Sequence, residues 1–159
     1  MANQIGNYSL YIALVTSIYL IFQSYKLSKR SSKNLDGKIF SVLSIQTAMV
    51  LISFFSLIYV FIVSDFSNET VYNNSHTTKP LFYKVSGTWG NHEGSLLLWL
   101  LVLNIFLFIF LIKSKKQSKN YRLLTVLFQE VIIFGFLYLY FLLQIHLQIY
   151  FLFQKKELV

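Results

Sequence analysis

The chain has 159 residues, of which 55% are hydrophobic, 18% are aromatic and only 13% are charged. Because soluble domains are about a quarter charged, this composition excludes an ordinary soluble domain and indicates a membrane protein. The absence of cysteine excludes disulfides, thiolate metal ligands and a cysteine nucleophile. The net charge of +8 is compatible with nucleic-acid binding, so the distribution of the charges along the chain has to decide whether that function fits.

Four hydrophobic stretches follow one another along the chain, and a spanning helix needs about 20 apolar residues. They predict an all-α, single membrane domain with helices over about 5–25, 39–63, 92–112 and 123–143. The fourth stretch stays apolar to about residue 153, which is too long for one span. We expect its membrane part to end near Leu143, where polar residues begin, and the rest to form an amphipathic or partner-covered extension. These polar residues are Gln144, His146, Gln148 and Gln154.

Basic residues are concentrated in two polar segments between the hydrophobic stretches. The first holds Lys26, Lys29, Arg30, Lys33 and Lys38, and the second holds Lys113, Lys115, Lys116, Lys119 and Arg122. With four spans both segments lie on one side, which the positive-inside rule assigns to the cytoplasm or the mitochondrial matrix. The segment 64–91 and both termini then face the other side, against which only Lys155 and Lys156 count. This pattern argues against a nucleic-acid-binding surface.

We predict that residues 64–91 form one long loop on the outer face. The loop is rich in Asn, Ser, Thr and Tyr and holds the only proline of the chain, Pro80. Loops of this length are more often functional or partner-binding than mere connections.

The most informative motif lies where this loop meets the third helix, from Trp89 to Trp99. Gly90 and Gly94 permit close backbone approach, and Glu93 falls in the first helical turn, where the exposed N–H groups favour a carboxylate. His92 and Trp99 share a helical face that could form a wall for a flat hydrophobic ligand. A second interpretation is equally open, in which the tryptophans are interfacial anchors and His92 is a hydrogen bonder at the helix end.

Glu130 lies inside the fourth span, where an unpaired charge is costly. We expect it to be neutral, in contact with water, or hydrogen-bonded to a partner such as Gln46, with helix packing as an alternative to a functional role. No metal site is predicted, and His76, His92 and His146 are only weak candidate ligands. No phosphate loop, dinucleotide fingerprint, zinc motif or catalytic triad is present, so the chain alone is not expected to be catalytic.

Several of these segments form a recognisable series. It begins with Ile5-Gly6-Asn7-Tyr8, continues with Ser64-Asp65-Phe66 and Asn74-Ser75, and is most specific in Pro80-Leu81-Phe82-Tyr83-Lys84-Val85 followed by Trp89 to Trp99. In this series the chain resembles the N-terminal part of the CcmF/NrfE-type cytochrome c haem lyases. The resemblance covers roughly the first 112 residues, and the tail from Leu123 matches only as a hydrophobic helix.

The resemblance implies a role in joining haem to apocytochrome c on the outer face of the membrane. Related complexes accept haem from a haem chaperone and help to form thioether bonds between its vinyl groups and the cysteines of a CxxCH motif. Trp89 and Trp99 are the only tryptophans, so the tryptophan-rich haem loop of the family is absent from this sequence. The haem-ligating histidines of the family cannot be placed on His76, His92 or His146. We therefore expect partner chains to hold most of the haem.

From the resemblance we expect a fragment encoded by a split gene, located in the mitochondrial inner membrane or alternatively in a bacterial plasma membrane. The expected partners are other haem lyase fragments or subunits, the haem chaperone, apocytochrome c and the lipid bilayer. A platform that docks haem or a partner is expected at Tyr83, Lys84, Trp89, Gly90, His92, Glu93, Gly94, Ser95 and Trp99. The alternative is a haem-lyase-derived structural subunit of a respiratory complex, without catalysis of its own.

Overall fold

The computed structural model describes residues 2–28 and 36–157, and it describes side chains for residues 2–28 and 37–146. Three of the basic residues discussed above, Lys29, Arg30 and Lys33, lie outside the described residues. The side chains of Gln148, Gln154, Lys155 and Lys156 also lie outside them. Within the described ranges the chain forms helices and no strands, which confirms the all-α fold class.

Four long helices account for most of the residues that the structure describes. In chain order the helices are α1 (Ala2–Ser28), α2 (Asp36–Ile62), α3 (Glu69–Asn74), α4 (Leu81–Gly87), α5 (His92–Lys113) and α6 (Lys119–Glu157), with a 3-10 turn at Ser114–Lys116. Helices α1, α2, α5 and α6 are each long and apolar enough to cross a membrane, which confirms the prediction of four spans. Helix α6 continues without a break through the extension that was predicted past Leu143.

The long helices form a ring in the order α1, α2, α5, α6, and neighbours in the ring run antiparallel. Three contacts establish the direction: Asn68 donates to Asn3 at 2.8 Å, Phe40 stacks on Phe108 with ring centroids 5.4 Å apart, and Tyr11 stacks on Phe141 at 4.9 Å. Each contact joins the first part of one helix to the last part of another, or to the segment that follows it. The ring therefore has two distinct ends.

The two ends differ in their chemistry. One end, called here the polar end, contains the starts of α1 and α5, the end of α2, and both short helices. The opposite end, called here the basic end, contains the described basic residues of the two charged segments. Gly37, Lys115 and Arg122 line a single cavity at the basic end, so the described parts of the two segments share it.

Leucines and small residues fill the interior of the bundle. The buried side of α1 consists of Gly6, Ser9, Leu10, Ala13, Ser17, Leu20, Ser24 and Leu27, at the spacing of three or four residues that places them on one helical face. Large apolar side chains cover the outside instead, among them Phe22, Phe55, Phe106 and Phe128, each more than 60% exposed. So large an apolar exterior suits contact with lipid rather than water.

Residues 64–91 differ from the prediction of one long loop, because they contain α3 and α4. Asn68 caps α3 by accepting a hydrogen bond from the backbone N–H of Val71 at 3.3 Å. Pro80 precedes α4, where its missing N–H costs no helical hydrogen bond.

Val71 is fully buried against Val60 and Phe61, so the segment packs onto the polar end. Helices of six and seven residues are too short to produce a recognisable apolar period in the sequence.

Candidate functional site

A tight turn between α4 and α5 fixes the start of α5. The side-chain oxygen of Asn91 accepts a hydrogen bond from the N–H of Gly94 at 2.7 Å. The side-chain amide of Asn91 donates to the carbonyl groups of Gly87 and Thr88, at 3.1 and 3.3 Å. One side chain thus satisfies an unpaired donor of the helix start and binds the preceding turn as well.

Gly94 brings α5 against this turn. A Cβ atom at this position would lie only 1.5 Å from the carbonyl oxygen of Thr88. At Gly90 a Cβ atom would lie 3.6 Å from the carbonyl oxygen of Ser86, which is an ordinary contact. Of the two glycines considered for close backbone approach, only Gly94 therefore has a backbone neighbour that excludes a side chain.

Glu93 points into the polar end of the bundle, and only 8% of the residue is exposed. Its carboxylate accepts a hydrogen bond from the hydroxyl of Thr70, which joins α5 to α3. The same side chain lines a polar cavity of about 180 Å³ together with Asn3, Asn7 and Gln144. Glu93 thus links α3 to α5 inside the polar end, next to a space large enough for water, and it is not part of the exposed surface.

Four of the predicted docking residues carry exposed rings on the segment around the turn. These four, Tyr83, Trp89, His92 and Trp99, are called here the aromatic face. Trp99 is 59% exposed and Trp89 is 41% exposed. His92 and Trp99 are seven residues apart on α5, which places them on the same side of the helix about 10 Å apart along its axis. Ser95 lies between them and donates to the carbonyl of His92 at 3.1 Å.

Polar contacts also hold the segment that follows α2. The ammonium group of Lys84 donates to the hydroxyl of Ser64 at 2.7 Å, which joins α4 to the end of α2. The hydroxyl and the backbone N–H of Ser67 both donate to the carboxylate of Asp65. These two hydrogen bonds favour the charged form and hold the pKa of Asp65 below its ordinary value. Lys84 therefore has a structural partner, in addition to its predicted place in the docking platform.

Gln46 and Glu130 meet in the centre of the bundle, and both are fully buried. The side-chain amide of Gln46 donates to Oε2 of Glu130 at 3.1 Å, which joins α2 to α6 across the ring. Ser17 of α1 donates to the backbone carbonyl of Glu130 at 3.3 Å. Oε1 of Gln46 and Oε1 of Glu130 have no partner among the described residues. Glu130 thus has the hydrogen-bonding partner considered for it, in a contact that connects three helices.

The three histidines occupy separate places. His76 lies between α3 and α4, His92 opens α5, and His146 lies in the later part of α6. All three are exposed. No group of three His, Cys, Asp or Glu side chains that could hold a metal ion occurs in the part of the chain that the structure describes.

Two residues that build this site, Asn91 and Thr70, were not among the predicted site residues. Asn91 carried a usable signal, because asparagine is strongly favoured immediately before the first residue of a helix. Thr70 carried no such signal. It lies 23 residues before Glu93, and their contact depends on the packing of α3.

The four long apolar helices found among the described residues could each span a membrane, which indicates a membrane protein. Comparison with curated proteins then shows what the chain is similar to. The chain is 41% identical over 106 residues to the cytochrome c-type biogenesis protein CycK of Rhizobium meliloti. It is 37% identical over 122 residues to CcmF, and 31% identical over 137 residues to NrfE, both cytochrome c-type biogenesis proteins of Haemophilus influenzae. The chain is therefore a homologue of the CcmF/NrfE-type cytochrome c-type biogenesis proteins.

These matches cover most of this chain but little of the relatives. They include 67%, 72% and 86% of this chain and only 16%, 18% and 21% of CycK, CcmF and NrfE respectively. Plant as well as bacterial proteins are among the matches. No protein-family profile matches the chain, and no solved structure does.

The similarity also extends further along the chain than the motifs suggested. A match over 86% of 159 residues cannot end at residue 112, so the alignment with NrfE reaches α6. The alignment thus includes part of the tail, which was expected to match only as a hydrophobic helix. Lipid-facing helices retain few distinctive residues, which explains why no motif in α6 was recognised.

Proposed function

We propose that this chain is a membrane subunit of cytochrome c maturation that presents the aromatic face as a docking platform for haem or for a partner chain. Homology to CcmF, NrfE and CycK supports the role in cytochrome c biogenesis. The exposed aromatic face at the polar end is the observation that carries the docking role. The chain spans at most 21% of the length of CycK, CcmF and NrfE. A part for this chain in the activity of those complete proteins is therefore also a proposal.

The aromatic face is suited to docking because the backbone beneath it is fixed. Asn91 and Gly94 determine how α5 leaves the turn, so Trp89 and His92 are held in a defined relation. Large rings supply contact area at a low cost in conformational entropy. Glu93 and Lys84 support the platform from within, through their bonds to Thr70 and Ser64.

In this proposal most of the haem is held by other chains, and the bond-forming chemistry takes place there. His92 is the one histidine of the aromatic face and so offers at most one axial ligand from it. A planar ligand could stack on the tryptophans without being ligated by this chain. The partners are other haem lyase subunits, the haem chaperone and apocytochrome c.

We place the polar end on the intermembrane-space or periplasmic side. The opposite end holds the described members of two segments that contain ten of the fourteen basic residues, and such segments are retained on the cytoplasmic or matrix side. We assign the protein to the mitochondrial inner membrane, with a bacterial plasma membrane as the alternative. The abundance of Phe, Tyr, Ile, Asn and Lys, typical of AT-rich organellar genes, supports the first assignment.

Two substitutions on the aromatic face test the docking role. His92→Ala and Trp89→Ala remove exposed rings, so the fold should persist while docking weakens. Central contact residues typically cost 1 to 2 kcal/mol or more when truncated, so we expect roughly a tenfold loss of docking affinity. The measurement is covalent haem on c-type cytochromes in cells that depend on this chain. His76→Ala is the matched control, because His76 is exposed at the same end but outside the aromatic face.

Normal maturation in both variants, at normal protein levels, would remove the docking role. Affinity purification in a mild detergent separates the proposal from the structural alternative. Copurification with other cytochrome c maturation subunits supports the proposal. Stoichiometric recovery with an oxidase or dehydrogenase, together with unchanged maturation, would instead favour a structural subunit of a respiratory complex.

A further inference from the structure

A groove at the basic end is lined by both apolar and cationic residues, and it has no part in the proposed function. Its volume is about 350 Å³, and it lies among the start of α2, the end of α5 and the start of α6. This basic-end groove is lined by Gly37, Phe40, Leu111, Ile112, Lys115 and Arg122. Phe40 and Ile112 are about two-fifths exposed, so their apolar surfaces remain open to a ligand.

The groove lies where the hydrocarbon region of a membrane would end. By length and apolar composition, the candidate span in α2 begins at Gly37 among the described residues, the candidate span that includes α5 ends at Lys116, and the one in α6 begins at Lys119. All six lining residues lie within a few positions of these limits. The apolar wall therefore adjoins acyl chains, while the cationic side chains are at the level of the lipid headgroups.

The charge around the groove is strongly unbalanced. The segments 26–38 and 113–122 contain ten basic residues and a single acidic residue, Asp36. Lys38 and Lys113 are exposed near the groove and add to its positive potential. Such a potential attracts anions. A soluble anion would gain nothing from Phe40 and Ile112, whereas an anionic lipid uses both the charge and the apolar wall.

We propose that the basic-end groove binds one anionic phospholipid. Its phosphate contacts Lys115 and Arg122, and the first carbons of its acyl chains lie against Phe40 and Ile112. The groove is too small for a whole lipid, so the chains continue into the surrounding bilayer. Gly37 lines the groove, and nothing lies within 4 Å of the position that its Cβ would occupy, so there is space for a larger side chain at this position. This inference is independent of the role in haem delivery.

Lipid binding to the purified protein in a mild detergent tests the proposal. Phosphatidylglycerol and phosphatidylcholine are titrated separately, and bound lipid is counted by native mass spectrometry. We expect one phosphatidylglycerol per chain and weaker binding of phosphatidylcholine. A cation near the surface contributes about fivefold to the binding of an anionic lipid, so Lys115→Gln with Arg122→Gln should lower the affinity roughly 25-fold.

Gly37→Leu tests the groove without any change of charge. Leucine fills the opening and is a better helix former than glycine, so the start of α2 should persist. We expect this variant to bind phosphatidylglycerol as weakly as the double variant does. If the double variant fails to fold, Gly37→Leu alone tests whether the groove is the binding site. Lys116→Gln is the matched control, because Lys116 is exposed at the same end but does not line the groove.

Three results would overturn the proposal: equal retention of the two lipids, unchanged binding by Gly37→Leu, or a loss in Lys116→Gln as large as in the double variant. The last result would indicate general attraction to the basic end rather than a site.

Discussion

Gly94 shows how a single residue determines the geometry of the polar end. The carbonyl oxygen of Thr88 occupies the space that a side chain would need, and the N–H of Gly94 is bonded to Asn91. Gly94→Ala should therefore displace the start of α5, although alanine is the better helix former. We expect a loss of about 3 kcal/mol in the free energy of unfolding, in the upper range for overpacking. Reversible unfolding in detergent measures it.

Gly90→Ala is the control for this substitution, since it changes the same residue type four positions earlier. Its Cβ would make an ordinary contact at 3.6 Å, and replacing glycine also restricts the unfolded chain. We expect this variant to be as stable as the original or slightly more stable. Equal destabilisation by the two substitutions would contradict the account of the turn.

The residue types of this site were predictable from the sequence, but their orientations were not. The Trp89–Trp99 motif identified the segment correctly as a polar start to an apolar helix. The inward orientation of Glu93 depends on Thr70, which reaches it only because α3 packs on the end of the bundle. Long-range packing of this kind has no local sequence pattern. Which residues face outward in the aromatic face and which support it from within could therefore be seen only in the structure.

Between elements, the bond from Gln46 to Glu130 joins α2 to α6 across the ring. An ionised carboxylate here would need a cationic partner, but the hydrogen-bonding partner found for it among the described side chains is neutral. We therefore expect Glu130 to be neutral. Glutamine has nearly the same shape as a protonated glutamate and can accept the same bond from Gln46. Glu130→Gln should therefore change the free energy of unfolding by less than about 1 kcal/mol.

Glu130→Leu is the contrasting variant, because it leaves the amide of Gln46 buried without that acceptor. We expect a loss of about 2 to 3 kcal/mol from the unsatisfied group. Thermal or denaturant unfolding in detergent compares the two variants. If Glu130→Gln is as damaging as Glu130→Leu, the charge itself is required and the neutral interpretation is wrong.

The four long helices were predictable because the length of an apolar stretch is enough to identify a membrane-spanning helix. Each of the four spans exceeds the length that a bilayer requires, so no tertiary information was needed to recognise it. Helices α3 and α4 depend instead on one cap, one proline and the burial of Val71. Such short helices are stabilised chiefly by packing, which explains why a loop was predicted in their place.

For the whole molecule, antiparallel packing gives the bundle two unlike ends. The polar end holds the aromatic face and the cavity beside Glu93, and the basic end holds the groove proposed for an anionic phospholipid. The proposed docking platform lies at the end opposite the described basic residues, in agreement with the orientation that we propose from the positive-inside rule. Both proposals use surfaces at the level of the lipid headgroups, on opposite sides of the bilayer.

Cysteine labelling from one side of the membrane tests this two-ended arrangement most directly. The chain contains no cysteine, so a single substitution reports one position. Thr77→Cys lies between α3 and α4, and Gln117→Cys lies between α5 and α6, and both positions are exposed. In intact mitoplasts or spheroplasts, a membrane-impermeant maleimide should label Thr77→Cys at once and Gln117→Cys only after permeabilisation. Labelling of both positions before permeabilisation would contradict the account, as would the reverse order.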